Sequence, residues 1–192
     1  CVLAGFGVLF RDWHFLGLTL IGGLGMASFF SFLTNSSFIY INHYGLTPTQ
    51  YSMAFAANAI GFIGASQLAA SLGARFGIPR VVLGAVTLHA LFAVILLIAT
   101  MLGVDSFAAL VTLLFLSFAF LGLVIPSSMI LALENHGPIA GIASALGGTL
   151  QMIAGGIMIA VVSQFCNGTS GPMVAAIALC ACGALIASLL ML

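Results

Sequence analysis

Apolar residues fall into six long runs, and polar residues collect in the gaps between them. The runs cover residues 14–41, 51–72, 79–102, 107–133, 137–162 and 172–192. Each is close to the roughly 20 residues a helix needs to cross a hydrocarbon core about 30 Å thick. The gaps read HYGLTPTQ, ARFGIP, GVDS, ENHGP and CNGTSGP. They carry Gly, Pro, Asn and Asp, the residues that favour turns. Pro79 stands at a helix start, where its missing N–H costs nothing. The pattern predicts an all-α membrane protein of six spanning helices joined by short turns.

The fifth run has two unlike faces. Gly141, Ser144, Gly148, Gln151 and Gly155 step by three or four residues and stack on one side. Ile142, Leu146, Leu150, Ile153 and Ile157 stack on the other. A bilayer accommodates this arrangement: the bulky face meets lipid and the small face admits a close or moving partner helix. Gly141, Gly148 and Gly155 are therefore the expected packing and rocking face.

Composition strengthens the membrane assignment. Hydrophobic residues make up 63% of the chain and charged residues 3%, against roughly 25% charged in a soluble domain. The six charges are Arg11, Asp12, Arg75, Arg80, Asp105 and Glu134, all at the ends of apolar runs. No nucleic-acid footprint is present. The three arginines fall on one side of the predicted topology, so the positive-inside rule puts that side in the cytoplasm. Six spans then place both ends there, with residues 1–13 as a cytoplasmic lead-in and residues 14–192 as the bundle. A start at Cys1 suggests that the chain belongs to a longer polypeptide.

Two trios of runs echo each other. The first and fourth mix Phe and Ser, in FFSFLTNSSF and FLSFAFLGLVIPSS, and the second and fifth are rich in small residues. A 3+3 inverted repeat is a known transporter plan.

Polar groups inside the runs are the candidate chemistry. Ser31, Thr34, Asn35 and Phe38, with Phe29 and Phe30, form a mixed aromatic and polar segment. It could contact a lipophilic substrate or bond back to its own helix. Asn58 is the one amide among the small residues of its helix face, and it needs a partner in hydrocarbon. Gln151 has room on the glycine face to reach across a gap. Pro126 is expected to kink the fourth run. His89 lies mid-membrane, where an ionisable group invites a functional role, yet no carboxylate lies at similar depth. Cys1, Cys166, Cys180 and Cys182 show no metal or disulfide spacing. Asn167-Gly168-Thr169 matches a glycosylation sequon, read here as a turn. Gly168-Thr169-Ser170-Gly171 matches the GxSG of intramembrane serine proteases, but no His follows His136, which argues against an enzyme. Paired NPA turns and filter-like sequences of channels are absent. No cofactor or metal site is indicated.

HFLGLTLIGGLGMASFFSF, YGLTPTQYSMAFAANAIGFIGASQL and AGIASALGGTLQM, in that order, resemble the Bcr/CflA group of drug-resistance transporters in the major facilitator superfamily. The resemblance runs from about residue 14 to the end and matches the second half of that family, helices seven to twelve of twelve. Ser37 departs from it where many relatives have Pro. The superfamily's cytoplasmic loop motif has a faint copy at Arg75, Gly77 and Arg80, with Ala74 in place of an acid. The resemblance implies the C-terminal six-helix bundle of a proton-coupled exporter in the bacterial inner membrane. Its partners would be a small lipophilic substrate, protons, the lipid bilayer and the N-terminal half. The first, second, fourth and fifth helices would face that half, giving Ser31, Thr34, Asn35, Phe38, Asn58, Phe118, Ser144 and Gln151 as pathway candidates. The competing class is a membrane scaffold that binds partner helices through its glycine faces.

Overall fold

A computed structural model describes residues 2–165 and 169–192. Cys1, Cys166 and the sequon residues Asn167 and Gly168 lie outside the described residues. Among those described, the chain is all helix and turn. A short helix α1 (Val2–Leu9) precedes six long ones: α2 (Trp13–Phe38), α3 (Pro48–Phe76), α4 (Ile78–Met101), α5 (Phe107–Leu133), α6 (Ala140–Ser163) and α7 (Gly171–Met191). The lead-in thus folds as α1, too short for hydropathy to mark, and it packs on α6.

Local chemistry sets the helix ends. The Asp12 carboxylate accepts hydrogen bonds from the backbone N–H groups of His14 and Phe15 at 2.9 and 3.2 Å, capping α2. Thr47 and Gln50 form a reciprocal capping box that starts α3 earlier than its apolar run. Gly77, at φ +88°, closes α3 and opens α4, a backbone conformation that suits a residue without Cβ. The end of α2 widens into a π-helical turn, Ile39–His43. Helix α5 is continuous through Pro126, and a kink with non-helical backbone falls in the 3-10 segment Glu134–Ile139, where His136 takes φ −117° and ψ 25°.

Helices α2 and α5 form the centre. Helix α2 packs on α5, α6 and α7; α5 packs on α2, α3 and α4; and α4 meets α7. Exchanging α2 with α5, α3 with α6 and α4 with α7 returns the same set of principal neighbours. Each helix then runs opposite to its counterpart, so the fold is a 3+3 inverted repeat. The repeat keeps constant register along the chain. Adding 93 to a residue number takes the starts of α2, α3 and α4 (13, 48 and 78) to 106, 141 and 171, each within one residue of the starts of α5, α6 and α7. The same shift takes Asp12 to Asp105, Asn42-His43 to Asn135-His136 and Asn58 to Gln151.

Small residues let the helices approach. A Cβ added at Gly122 in α5 would lie 3.0 Å from the Phe62 carbonyl carbon of α3. Across the repeat, Gly147 in α6 packs on Met129 and Thr19, and Gly155 packs on the Phe30 ring. The outer surface is oily: Met53 and Ile60 on α3 are 69% and 71% exposed. Ile153 and Ile157 on α6, and Leu179 and Leu190 on α7, are also mostly exposed. Apolar exposure on this scale needs lipid or another helical body around it.

Candidate functional site

Three helices bring five phenylalanines around one cavity of about 220 Å³. Phe29 and Phe32 come from α2, Phe55 and Phe62 from α3, and Phe118 from α5. Phe29 stacks on Phe62 at 5.6 Å between ring centres, and Phe32 stacks on Phe55 at 6.0 Å. Phe118 closes the inner wall, 5.0 Å from Phe32. The rings stand at helical spacings, 29 with 32 and 55 with 62, so each helix presents both of its members on one face.

The remaining lining residues are Ala59, Ile63 and Asn58. Asn58 is 3% exposed, and neither its amide nitrogen nor its amide oxygen has a hydrogen-bond partner. The Tyr40 hydroxyl approaches this amide but makes no hydrogen bond with it. An unpaired buried amide costs several kcal/mol on a hydrocarbon scale, so this is a high-energy spot in the bundle.

Behind Phe118, His89 of α4 is fully buried. Its Nδ1 lies 3.0 Å from the Ser117 carbonyl oxygen and 2.8 Å from the Ser117 hydroxyl. The same hydroxyl lies 3.2 Å from the His89 carbonyl oxygen and can donate to it. This fastens α4 to α5, while the His89 Nε2 is left unpaired and no carboxylate among the described residues bonds to the ring.

The other predicted pathway residues do not share the cavity. Ser31 and Asn35 are buried on α2 and donate back to Ala27 and Ser31 carbonyls at 2.8 and 2.9 Å. Thr34 is exposed and donates to the Phe30 carbonyl at 2.9 Å. Thr34, Asn35 and Phe38 line a separate hollow between the end of α2 and the start of α7. Ser144 is exposed and donates to Gly141. Gln151 is buried against Gly22 and Gly23 of α2, and its Nε2 is unpaired. The glycine face of α6 is therefore divided. Gln151 and Gly155 turn inward to α2, while Gly141 and Gly148 have nothing within 4 Å. The buried line on α6 runs through Ala143, Leu146, Gly147, Gln151 and Gly155, crossing the small face obliquely.

In the loop between α3 and α4, Arg75 lies over the Phe76 ring at 5.3 Å and Arg80 borders a shallow groove. Gly77 makes the turn between them. Neither arginine has a carboxylate partner among the described residues.

Two Asp–His contacts fasten opposite ends of the bundle. At one end Asp12 meets His136 at 3.1 Å, with Phe15 edge-on to the imidazole at 5.4 Å. At the other, Asp105 meets His43 at 2.8 Å and accepts a 2.6 Å hydrogen bond from Tyr44. The two are equivalent under the 93-residue shift. The Tyr44 hydrogen bond, with help from His43, holds the Asp105 carboxyl below its usual range. Partial burial and then the Asp105 carboxylate push the Tyr44 hydroxyl up to about 12. Both histidines stand in the joins between apolar runs. Their matched Asn-His pairs were the signal that could have linked them.

No family model matches the chain. Two curated proteins are similar to it. One is the uncharacterized MFS-type transporter YdgK of Bacillus subtilis (strain 168), 30% identical over 152 residues, which is 79% of this chain and 38% of that protein. Another is the bicyclomycin resistance protein homolog of Haemophilus influenzae (strain ATCC 51907 / DSM 11121 / KW20 / Rd). It is 24% identical over 182 residues, 93% of this chain and 45% of that protein. The chain spans less than half the length of either relative. The six-helix inverted repeat and these similarities relate it to transporters of the major facilitator type and to a multi-pass membrane setting.

Proposed function

We propose that this chain is the C-terminal half, helices seven to twelve, of a proton-coupled exporter of the Bcr/CflA kind, acting on small lipophilic molecules. The observation that carries the reading is the similarity to a bicyclomycin resistance protein homolog over 93% of the chain. The ring-lined cavity among α2, α3 and α5 supports it, because such a surface holds an oily molecule without a dedicated charge. In this reading the inner membrane holds the full protein with both ends of this half in the cytoplasm, and the half rocks against an N-terminal bundle.

The proton carrier lies in the other bundle. Asp12, Asp105 and Glu134 all sit at helix ends or in joins, and His89 is tied through Nδ1 to Ser117 with no carboxylate bonded to it among the described residues. This half therefore supplies a wall of the substrate path and one side of the moving interface.

The test is drug accumulation in cells that express the complete protein. Expression should lower accumulation of a chloramphenicol-like drug, and an uncoupler should restore it. A stable membrane complex with no drug flux would favour the scaffold instead.

A further inference from the structure

The inverted repeat makes the ring-lined cavity an internal experiment. The 93-residue shift pairs Asn58 of α3 with Gln151 of α6, so each second helix carries one buried amide at the equivalent position of the repeat. The surroundings of the two amides differ. Phe29, Phe55, Phe62 and Phe118 become Gly122, Gly148, Gly155 and Gly25 under the shift. On the α6 side Gln151 fills the notch at Gly22, with a hollow of about 190 Å³ beside it between α2 and α6. On the α3 side the rings hold the wedge open.

We propose that the cavity bounded by Phe29, Phe32, Phe55, Phe62 and Phe118 binds one uncharged aromatic ring whose amide-like edge hydrogen-bonds to Asn58. The proposal rests on the transport reading for its purpose and deepens it by naming the substrate class.

Size, charge and polarity each narrow the ligand. An apolar cavity of about 150 Å³ takes up benzene. The volume here, about 220 Å³, admits a substituted ring but not a whole drug-sized molecule, whose pockets start at roughly 300 Å³. The stacked pairs Phe29–Phe62 and Phe32–Phe55 present flat walls, which suit offset or edge contact with a third ring. No charged side chain lines the cavity, so an ionised ligand would enter without compensation. Asn58 leaves both a donor and an acceptor unpaired. Tyr40 has a single oxygen to offer and can satisfy only one end of the amide. A primary amide, lactam or imide on the ligand presents the matching donor and acceptor side by side.

The experiment uses the complete protein purified in detergent, with benzamide, toluene and benzoate as probes read by saturation-transfer NMR. Benzamide should bind more tightly than toluene, and benzoate should bind least. Asn58→Leu should weaken benzamide roughly tenfold and leave toluene unchanged. Gln151→Leu should leave benzamide unchanged, since that amide lies against α2 outside the ring-lined cavity. Phe118→Ala, which opens the wall without touching the amide, should weaken benzamide and toluene alike. Equal benzamide binding by wild type and a folded Asn58→Leu would overturn the proposal, as would benzoate binding as well as benzamide. Drug efflux is read separately on the same variants. Binding that follows this pattern without efflux would sink the transport reading alone. Efflux with Asn58-independent benzamide binding would sink the ligand assignment alone.

Discussion

The close backbone approach of α5 to α3 at Gly122 gives a stability prediction with a size. In Gly122→Ala, the new Cβ would press on the α3 backbone at Phe62, 3.0 Å from the carbonyl carbon and 3.2 Å from Cα, with the carbonyl oxygen nearer still. A side chain could swing aside; a helical carbonyl committed to its own ladder cannot. Helix α3 must shift outward, and its stacked rings must shift with it. Overpacking of this sort costs about 1–3 kcal/mol, and the backbone clash argues for at least the middle of that range. For a chain of this length, about 2 kcal/mol lowers the melting temperature by roughly 4–8 °C. Thermal unfolding of the purified protein can be followed with a thiol-reactive dye, because Cys180 is 2% exposed and reports loss of the core. Gly148→Ala is the internal control, since nothing lies within 4 Å of that position. It should melt at or above wild type. A Gly122→Ala protein melting within about 1 °C of wild type, a small fraction of the predicted shift, would refute the close α3–α5 contact.

Three further expectations follow from named contacts. Gly148→Leu should insert and melt normally yet abolish transport by the complete protein, because nothing in this half lies within 4 Å of the new Cβ and the added bulk projects toward the other bundle; unimpaired efflux would remove that face from the moving interface. Tyr44→Phe should raise the Asp105 carboxyl titration, read by infrared spectroscopy. Since Asp105 is depressed in the folded state, its stabilising contact is present above the normal carboxylate range and lost as pH falls through the folded value; an unmoved titration would contradict the Tyr44 hydrogen bond as cause. Neutralising Asp12, Asp105 and Glu134 one at a time should preserve proton-coupled transport, and its loss from any one with normal expression would relocate the proton carrier into this half.

Hydropathy made the six long helices legible, because a run of apolar residues of bilayer length has few other solutions. It misplaced the start of α3, which the Thr47–Gln50 box extends, and it gave no sign of the π-turn after Phe38. The cavity was legible in part. Asn58 and Phe118 stood out as single residues, but Phe32, Phe55 and Phe62 gain meaning only when three helices converge. The small face of α6 looked uniform because spacing alone groups Gly148 with Gln151. Which of them is buried depends on the Gly22–Gly23 notch of α2, more than 100 residues earlier in the chain. The paired Asp–His fasteners were hidden for the same reason: 62 residues separate His43 from Asp105. Their shared register becomes readable once the inverted repeat supplies the shift.

Coupling between drug and proton movement tests the central claim most directly. The complete protein, reconstituted in liposomes with an imposed pH gradient, should drive uphill movement of a chloramphenicol-like drug. Addition of that drug should speed decay of the gradient. Folded protein that moves neither drug nor proton would contradict the assignment of this chain as half of a proton-coupled exporter.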